Sequence, residues 1–371
     1  MKITGIELGK LRVPLKAPFK TALRTIDHME DVVVILETDT GHRGYGSAPA
    51  TAVITGETHG SIIEAIRTVI GPVIIGEDIE NLNHLIGTIQ GVMFANSSAK
   101  AAVEIAVYDL FAQSYQVPLY KILGGGEPVL STDITISVDY IDKMVEDAIK
   151  AVDQGFEALK IKVGKDLPLD IQRVKAIYAA VSDRALIRLD ANQGWTAKQT
   201  VSALRELEAS DVELEFIEQP VKGDDLEGMK YITERVLTPV MADESTFGPR
   251  EAIDLIRMRG ADIINIKLMK TGGISNAIKI ADIAAVYGIK CMMGCMIESS
   301  IGVSAAAHVA VAKASTITRV DLDAPSLATV NQVNGGVRFS GPDISIPNTP
   351  GLGIDSINEL SMLSFKKAVS S

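Results

Sequence analysis

Residues 157–164 read EALKIKVG, and six runs of the same kind follow: ALIRLD (185–190), LEFIE (214–218), PVMAD (239–243), DIINIK (262–267), IKCMMG (289–294) and ITRVDLD (317–323). An eighth, LSTDITISV (130–138), precedes them. Each is short and β-rich, as a strand is. Between them lie longer amphipathic stretches such as IDKMVEDAIKAVDQG (141–155), AKQTVSALRELEAS (197–210) and SNAIKIADIAAVYG (275–288), several ending at a glycine suited to a C-cap. Strand and helix alternate at about 25 residues per unit, the pattern of a parallel sheet, and eight such strands with seven helices between them close into an α/β barrel.

Outward from the barrel, residues 1–125 mix alternating segments (DVVVILE, 31–37) with helical ones (SAKAAVEIAVYDLFAQ, 98–113), which predicts an α+β domain. The turn cluster Gly124-Gly125-Gly126-Glu127-Pro128 lacks the strand, spacing and lysine of a phosphate loop and reads as a boundary. The expected organisation is therefore an α+β domain over 1–125, a barrel over 126–323 and a Gly-, Pro-, Asn- and Ser-rich segment over 324–371 that runs back across the first domain.

Composition narrows the function classes. The apolar stretches fall short of the roughly 20 residues of a membrane span, and the opening MKITGIELGKLRVPLK alternates like a strand, so a soluble, cytoplasmic protein without a membrane partner is expected. A formal net charge of -11 and the lack of a basic run argue against nucleic acid. Cys291 and Cys295, four apart, would share a helix face and read as reduced structural thiols.

In such a barrel the carboxyl ends of the strands carry the chemistry. Here they carry Lys160 and Lys162, then Asp190, Glu218, Asp243 and Lys267, and finally Asp321 and Asp323. Charged groups at the mouth of apolar strands must pair or bind something. Asp190, Glu218 and Asp243, 28 and 25 residues apart, would converge if they end adjacent strands, and oxygen ligands without His or Cys favour Mg2+. Lys160 and Lys162, two apart on a strand, face the barrel interior, and Lys267, four strands on, faces them from the opposite side. A base and an acid on opposite faces of one carbon, beside a metal that stabilises an enolate, suit removal and return of a proton alpha to a carboxylate.

The ordered set KIKVGK, RLDANQGW, IEQP, MADES and INIKLMKTGG resembles the enolase superfamily, and within it the muconate-lactonizing subgroup. The resemblance spans nearly the whole chain. It implies a modified TIM barrel of (β/α)7β form with an α+β capping domain, one Mg2+ per subunit, and a homo-oligomer from dimers upward. IKCMMG carries no histidine, unlike the mandelate-racemase branch, and His308 in the following helix reads as structural. Asp321-Leu322-Asp323 resembles the pair with which dipeptide epimerases hold a free amine. By the same resemblance Thr135, Cys295, Met296, Ile297, Leu322, the loop around Phe19, Lys20, Thr21 and Arg24, and Ile54 should contact substrate. The implied enzyme is an isomerase, a dipeptide epimerase in which Lys162 and Lys267 exchange the alpha proton and Lys160 neutralises the enolate.

Side-chain specificity stays open at this level. Arg24 in PFKTALRT resembles the arginine that meets glutamate in L-Ala-D/L-Glu epimerases, whereas the apolar wall Cys291 to Ile297 suits hydrophobic dipeptides. Rival readings keep the site and change the reaction to cycloisomerisation, o-succinylbenzoate synthesis or N-acylamino acid racemisation, or keep only a metal-binding barrel. A metal-dependent hydrolase would need histidines that these strand ends lack.

Overall fold

The computed structural model describes residues 1–364; residues 365–371 of the expected C-terminal segment lie outside the described residues. The chain opens with an antiparallel sheet, β1 (Ile3–Lys20), β2 (Thr25–Thr38) and β3 (Arg43–Pro49). The run DVVVILE is apolar without a break because β2 is buried on both faces. Val32, Val34 and Leu36 pack toward the helices of this domain, while Met29, Val33 and Ile35 pack toward Ile297, Ile301 and Ala324 at the barrel. The helix Ser97–Ser114 is buried almost all round and comes to backbone contact with β3, where a Cβ on Gly46 would collide with the Ala102 carbonyl. This leaves the sheet clamped between its own helices and the barrel.

After β4 (Val129–Ser131) come eight barrel strands: β5 (Ile134–Ile136), β6 (Ala158–Lys162), β7 (Leu186–Asp190), β8 (Phe216–Glu218), β9 (Val240–Ala242), β10 (Ile263–Lys267), β11 (Lys290–Gly294) and β12 (Ile317–Asp321). They pair in chain order, every pair parallel. One helical connection follows each strand but the last, which is the (β/α)7β arrangement that the sequence rhythm predicts. β5 and β12 do not pair as strands; Asp133 N–H donates to the Val320 carbonyl at 3.3 Å and Leu322 N–H to Thr132 Oγ1 at 2.8 Å. These bonds bring the two ends of the sheet together.

Inside the barrel, side chains stack in layers because alternate residues of each strand point inward. At the bottom Arg188 pairs with Asp133 (2.7 Å) and Glu215 (2.6 Å), and Glu215 with Arg319 (2.6 Å). Phe216, Met241, Ile263 and Met292 form an apolar floor above them. The charged strand ends stand on that floor.

The tail adds β13 (Val333–Gly335), β14 (Arg338–Ser340), β15 (Asp343–Ser345), β16 (Ile354–Ile357) and β17 (Ser361–Met362). β15 pairs with β4, and β17 with β1, Gly9 opposite Met362. No helix among the described residues is long and apolar enough to cross a membrane. The cysteines do not share a helix: Cys291 is on β11 and Cys295 in the loop after it, both unbridged. The β-branched and sulfur-rich run around them favours a strand, and helical spacing there carries no meaning.

Candidate active site

Strand register assembles the site. Lys162 lies beside Asp190, Asp190 beside Glu218, and on the far side Lys267 beside Gly294 and Gly294 beside Asp321. Two rows, one across β6–β8 and one across β10–β12, thus deliver two lysines and three carboxylates to the barrel mouth. Gly294 is required in the second row, since a Cβ there would stand 2.6 Å from Asn265 Oδ1 and 3.0 Å from Lys267 Cε. All these charges are buried, with Lys160 at 1 % exposure, Lys162 at 6 % and Lys267 at 5 %.

Each ammonium is matched to carboxylates. Lys160 Nζ lies 2.6 Å from Asp321, 2.7 Å from Glu218 and 3.2 Å from Asp190. Lys162 reaches Asp190 at 2.6 Å, and Lys267 reaches Asp243 at 2.7 Å. Lys270 meets Asp243 at 2.6 Å and donates to the carbonyls of Asn265 and Thr246. Burial pulls the Lys160 and Lys267 pKa values down, but the surrounding carboxylates outweigh it and hold both above the ordinary lysine range. Asp323 is pushed up to about 6 by burial and by Asp321, against the Thr135 N–H that donates to it at 2.8 Å.

Charge decides whether a cation fits. Asp190, Glu218, Asp243, Glu244, Asp321 and Asp323 face Lys160, Lys162, Lys267 and Lys270, so with every group ionised these buried side chains have a formal excess of two negative charges. Glu218 and Glu244 register it: burial first, then Asp190 for the former and Asp243 for the latter, push them up to about 7 and about 8. Both Glu244 oxygens are buried without a hydrogen-bond partner, and Glu218 Oε2 is 2.7 Å from Lys160 Nζ without hydrogen-bond geometry. An oxygen-only set short of two positive charges fits a hard dication. Among the described residues no three metal-binding side chains enclose a common point. Asp190 and Glu218 are register neighbours, whereas Asp243 follows the end of β9, two residues beyond the Met241 that pairs with Glu218; each of the three carboxylates lies on a lysine, and their oxygens do not meet at a common point.

Above the charges is a cavity between the barrel mouth and the capping domain. Lys160, Lys162, Lys267, Asp321, Asp323, Thr135, Cys295, Met296 and Ile297 line it from the barrel, and Phe19, Thr21, Arg24 and Ile54 from the capping domain. Leu322 does not line it. Strand alternation puts Asp321 and Asp323 on the inner face and turns Leu322 outward into the main core. Lys20 is turned away too, to Asp139 at 2.7 Å. The cavity also takes in Leu23, Val53 and Asn192, and Asn265 donates to Glu218 at 2.7 Å. Asn265 is legible from its place two residues before Lys267 on one strand, and Leu23 from its place beside Arg24 in PFKTALRT; Val53 comes from a remote loop and carries no local signal. Asn192 stands two residues after Asp190 in RLDANQGW, close enough in sequence for the motif to carry it. His308 is structural, its Nδ1 accepting the Tyr120 N–H at 2.9 Å, and burial lowers its pKa to about 3.

Arg24 lines the cavity half-buried, and no acidic side chain among the described residues pairs with it; burial pulls its pKa below the usual value. The guanidinium is thus partly desolvated without a counter-ion.

The comparisons agree with this geometry. Residues 4–124 match the model of the mandelate racemase / muconate lactonizing enzyme N-terminal domain, and residues 143–360 that of the enolase C-terminal domain-like family. An L-Ala-D/L-Glu epimerase of Clostridium acetobutylicum is 49 % identical over 96 % of this chain and 100 % of its own. The substrate-liganded L-Ala-D/L-Glu epimerase of Bacillus subtilis superposes with a TM-score of 0.94 at 47 % identity, covering 96 % of this chain and 99 % of that one. A dipeptide epimerase of Enterococcus faecalis complexed with Mg and L-Leu-L-Tyr superposes at 0.93 and 43 % identity, over 96 % and 100 %. Capping sheet, (β/α)7β barrel and lysine–carboxylate mouth together with these matches make the chain a member of the mandelate racemase / muconate lactonizing enzyme family of the enolase superfamily.

Proposed function

We propose that the protein is a dipeptide epimerase that inverts the α carbon of the C-terminal residue of an L,L-dipeptide, and that this residue is acidic, as in L-Ala-L-Glu. The supporting observation is one cavity that joins two lysines from strands four apart, a carboxylate pair at Asp321 and Asp323, and the unpaired Arg24. The substrate's free ammonium pairs with Asp321 and Asp323, the latter held by the Thr135 N–H. An N-acylated or cyclic acid offers no such group, which disfavours the racemase and cycloisomerase alternatives. Arg24 faces the side chain of the second residue, where a carboxylate would supply the missing counter-ion.

Lys162 and Lys267 work as a pair, the amine form of one taking the α proton and the ammonium of the other delivering a proton to the opposite face. Asp190 and Asp243 fix their Nζ atoms at 2.6 and 2.7 Å. Lys160 sets a fixed positive charge beside the substrate carboxylate, where negative charge gathers as the proton leaves. Asp190, Glu218 and Asp243 would hold a Mg2+, which when bound would supply further positive charge at that carboxylate. The two unbridged cysteines suit a cytoplasmic protein, and we take it to be a homo-oligomer.

The test is deuterium exchange in D2O with Mg2+, read by mass spectrometry against L,L-dipeptides, N-acyl amino acids and cyclic acids. Incorporation with L-Ala-L-Glu well above L-Ala-L-Leu, cut by Arg24→Met, is the expected outcome. Preference for Leu, Phe or Tyr would move the assignment to hydrophobic dipeptides. Exchange confined to N-acyl or cyclic acids would sink it.

A further inference from the structure

Residues Thr21–Arg24 are the tip of the β1–β2 hairpin, which reaches from the capping sheet over the barrel mouth and brings Phe19 and Arg24 to the cavity. Below the tip the ladder is interrupted: the register shifts between Pro14 and Phe19. The tip is internally tied, Thr21 Oγ1 accepting from the N–H groups of Leu23 and Arg24 at 3.1 and 3.2 Å. The tip is thus a tied unit joined to the sheet through an irregular stretch, and contacts with the barrel fix where it rests.

Those contacts run through residues 137–139, beginning with the Lys20 N–H that donates to Ser137 Oγ at 3.4 Å. Lys20 Nζ pairs with Asp139 Oδ2 at 2.7 Å, and the Lys20 carbonyl accepts the Val138 N–H at 3.3 Å. Asp139 is itself anchored, since its carbonyl accepts from Arg173 Nε at 3.0 Å. Arg173 pairs with Asp170 at 2.9 Å, and Asp170 Oδ2 accepts the N–H groups of Gly164, Lys165 and Asp166 in the loop directly after Lys162. Ala22 rests on Gly164, where an added Cβ would stand 3.1 Å from its methyl and collide with the Ala191 carbonyl. The loop that carries the Lys162 strand onward and the seat of the hairpin tip are thus one braced piece.

We propose that Asp139 is a positioning residue, the barrel half of a latch with Lys20 that keeps the β1–β2 hairpin tip closed over the cavity and so sets substrate retention. It touches neither the cavity nor the charged cluster, so its loss acts through Phe19 and Arg24. The inference rests on the epimerase reading only for its kinetic test. The pair is 35 % and 31 % exposed, so its contribution is that of a surface ion pair.

The experiment is limited trypsinolysis of the full-length protein in Mg2+, following cleavage after Lys20 and Arg24 for wild type and Asp139→Asn. This readout needs no substrate, so it stands if the epimerase reading fails. Cleavage should speed ~2–5-fold in the variant, the opening expected when a surface ion pair is lost. Added 0.5 M NaCl should shrink the difference. With L-Ala-L-Glu, KM should rise by the same factor with kcat within about twofold, and the swap Lys20→Asp with Asp139→Lys should restore slow cleavage after Arg24. Thermal melting separates a general loss of stability from release of the tip. Equal cleavage rates in wild type and Asp139→Asn, or faster cleavage that the swap leaves unrescued, would overturn the latch.

Discussion

Replacing Lys160 with Met removes an ammonium that touches three carboxylates at once, and the geometry sets the size of the effect. The side chain is 1 % exposed and its Nζ lies 2.6, 2.7 and 3.2 Å from Asp321, Glu218 and Asp190. Stranding buried charge by deleting one partner typically costs about 3–5 kcal/mol. For 371 residues, an unfolding entropy of about 2 cal/mol/K per residue turns this into a melting shift of roughly 4–7 °C. A dication would take over two of the three stranded carboxylates, Asp190 and Glu218, leaving Asp321. Mg2+ should therefore raise the melting temperature of Lys160→Met more than that of wild type, recovering about half of the loss. The assay is calorimetry of both proteins in EDTA and in saturating Mg2+. A variant that melts within about 1 °C of wild type in EDTA, or equal Mg2+ increments in both, would refute the view that Lys160 and the cation answer the same excess of negative charge.

Lys162→Ala and Lys267→Ala should each slow inversion by about 10²–10⁴-fold. Each should still exchange the α proton of one antipode, and the two should spare opposite antipodes; loss of both exchanges in each variant would argue against two-faced chemistry. Glu298, buried beside the cavity wall, is pushed up to about 8 by burial and then by Asp31, while its Oε1 accepts the Met296 N–H at 2.9 Å. Its folded pKa exceeds the unfolded one, so the folded state holds the proton more tightly and stability falls as pH rises from about 4.5 to about 8. Glu298→Gln keeps the acceptor and removes that slope, and should gain up to a few kcal/mol over wild type by pH 9 while differing little at pH 5. Parallel melting curves against pH would contradict it.

The barrel was legible because its strands are buried on both faces and so read as unbroken apolar runs ending in charges. EALKIKVG shows both features, with Lys160 and Lys162 inward by simple alternation. The same alternation turns Leu322, between the two acids, away from the cavity and into the core. Cavity walls from the capping domain were partly legible, through the PFKTALRT motif, and partly not. Val53 reaches the cavity because a sheet more than a hundred residues earlier in the chain packs on the barrel mouth. No local periodicity encodes that docking. Nor does it encode the Lys20–Asp139 pair, which depends on two loops meeting.

The strand β17 lies on β1, where Gly9 leaves room for Leu360, whose methyl would stand 2.7 Å from a Cβ there. The sheet that opens the protein is thus finished by residues some 350 positions later. A chimera that joins the first 125 residues of one homologue to the remainder of another would inherit an edge strand shaped for a different neighbour. Exchanging the substrate-facing hairpin between relatives as an intact unit therefore calls for two crossovers, one near the glycine cluster at 124–126 and one before 333, so that the donor's first and last strands travel together.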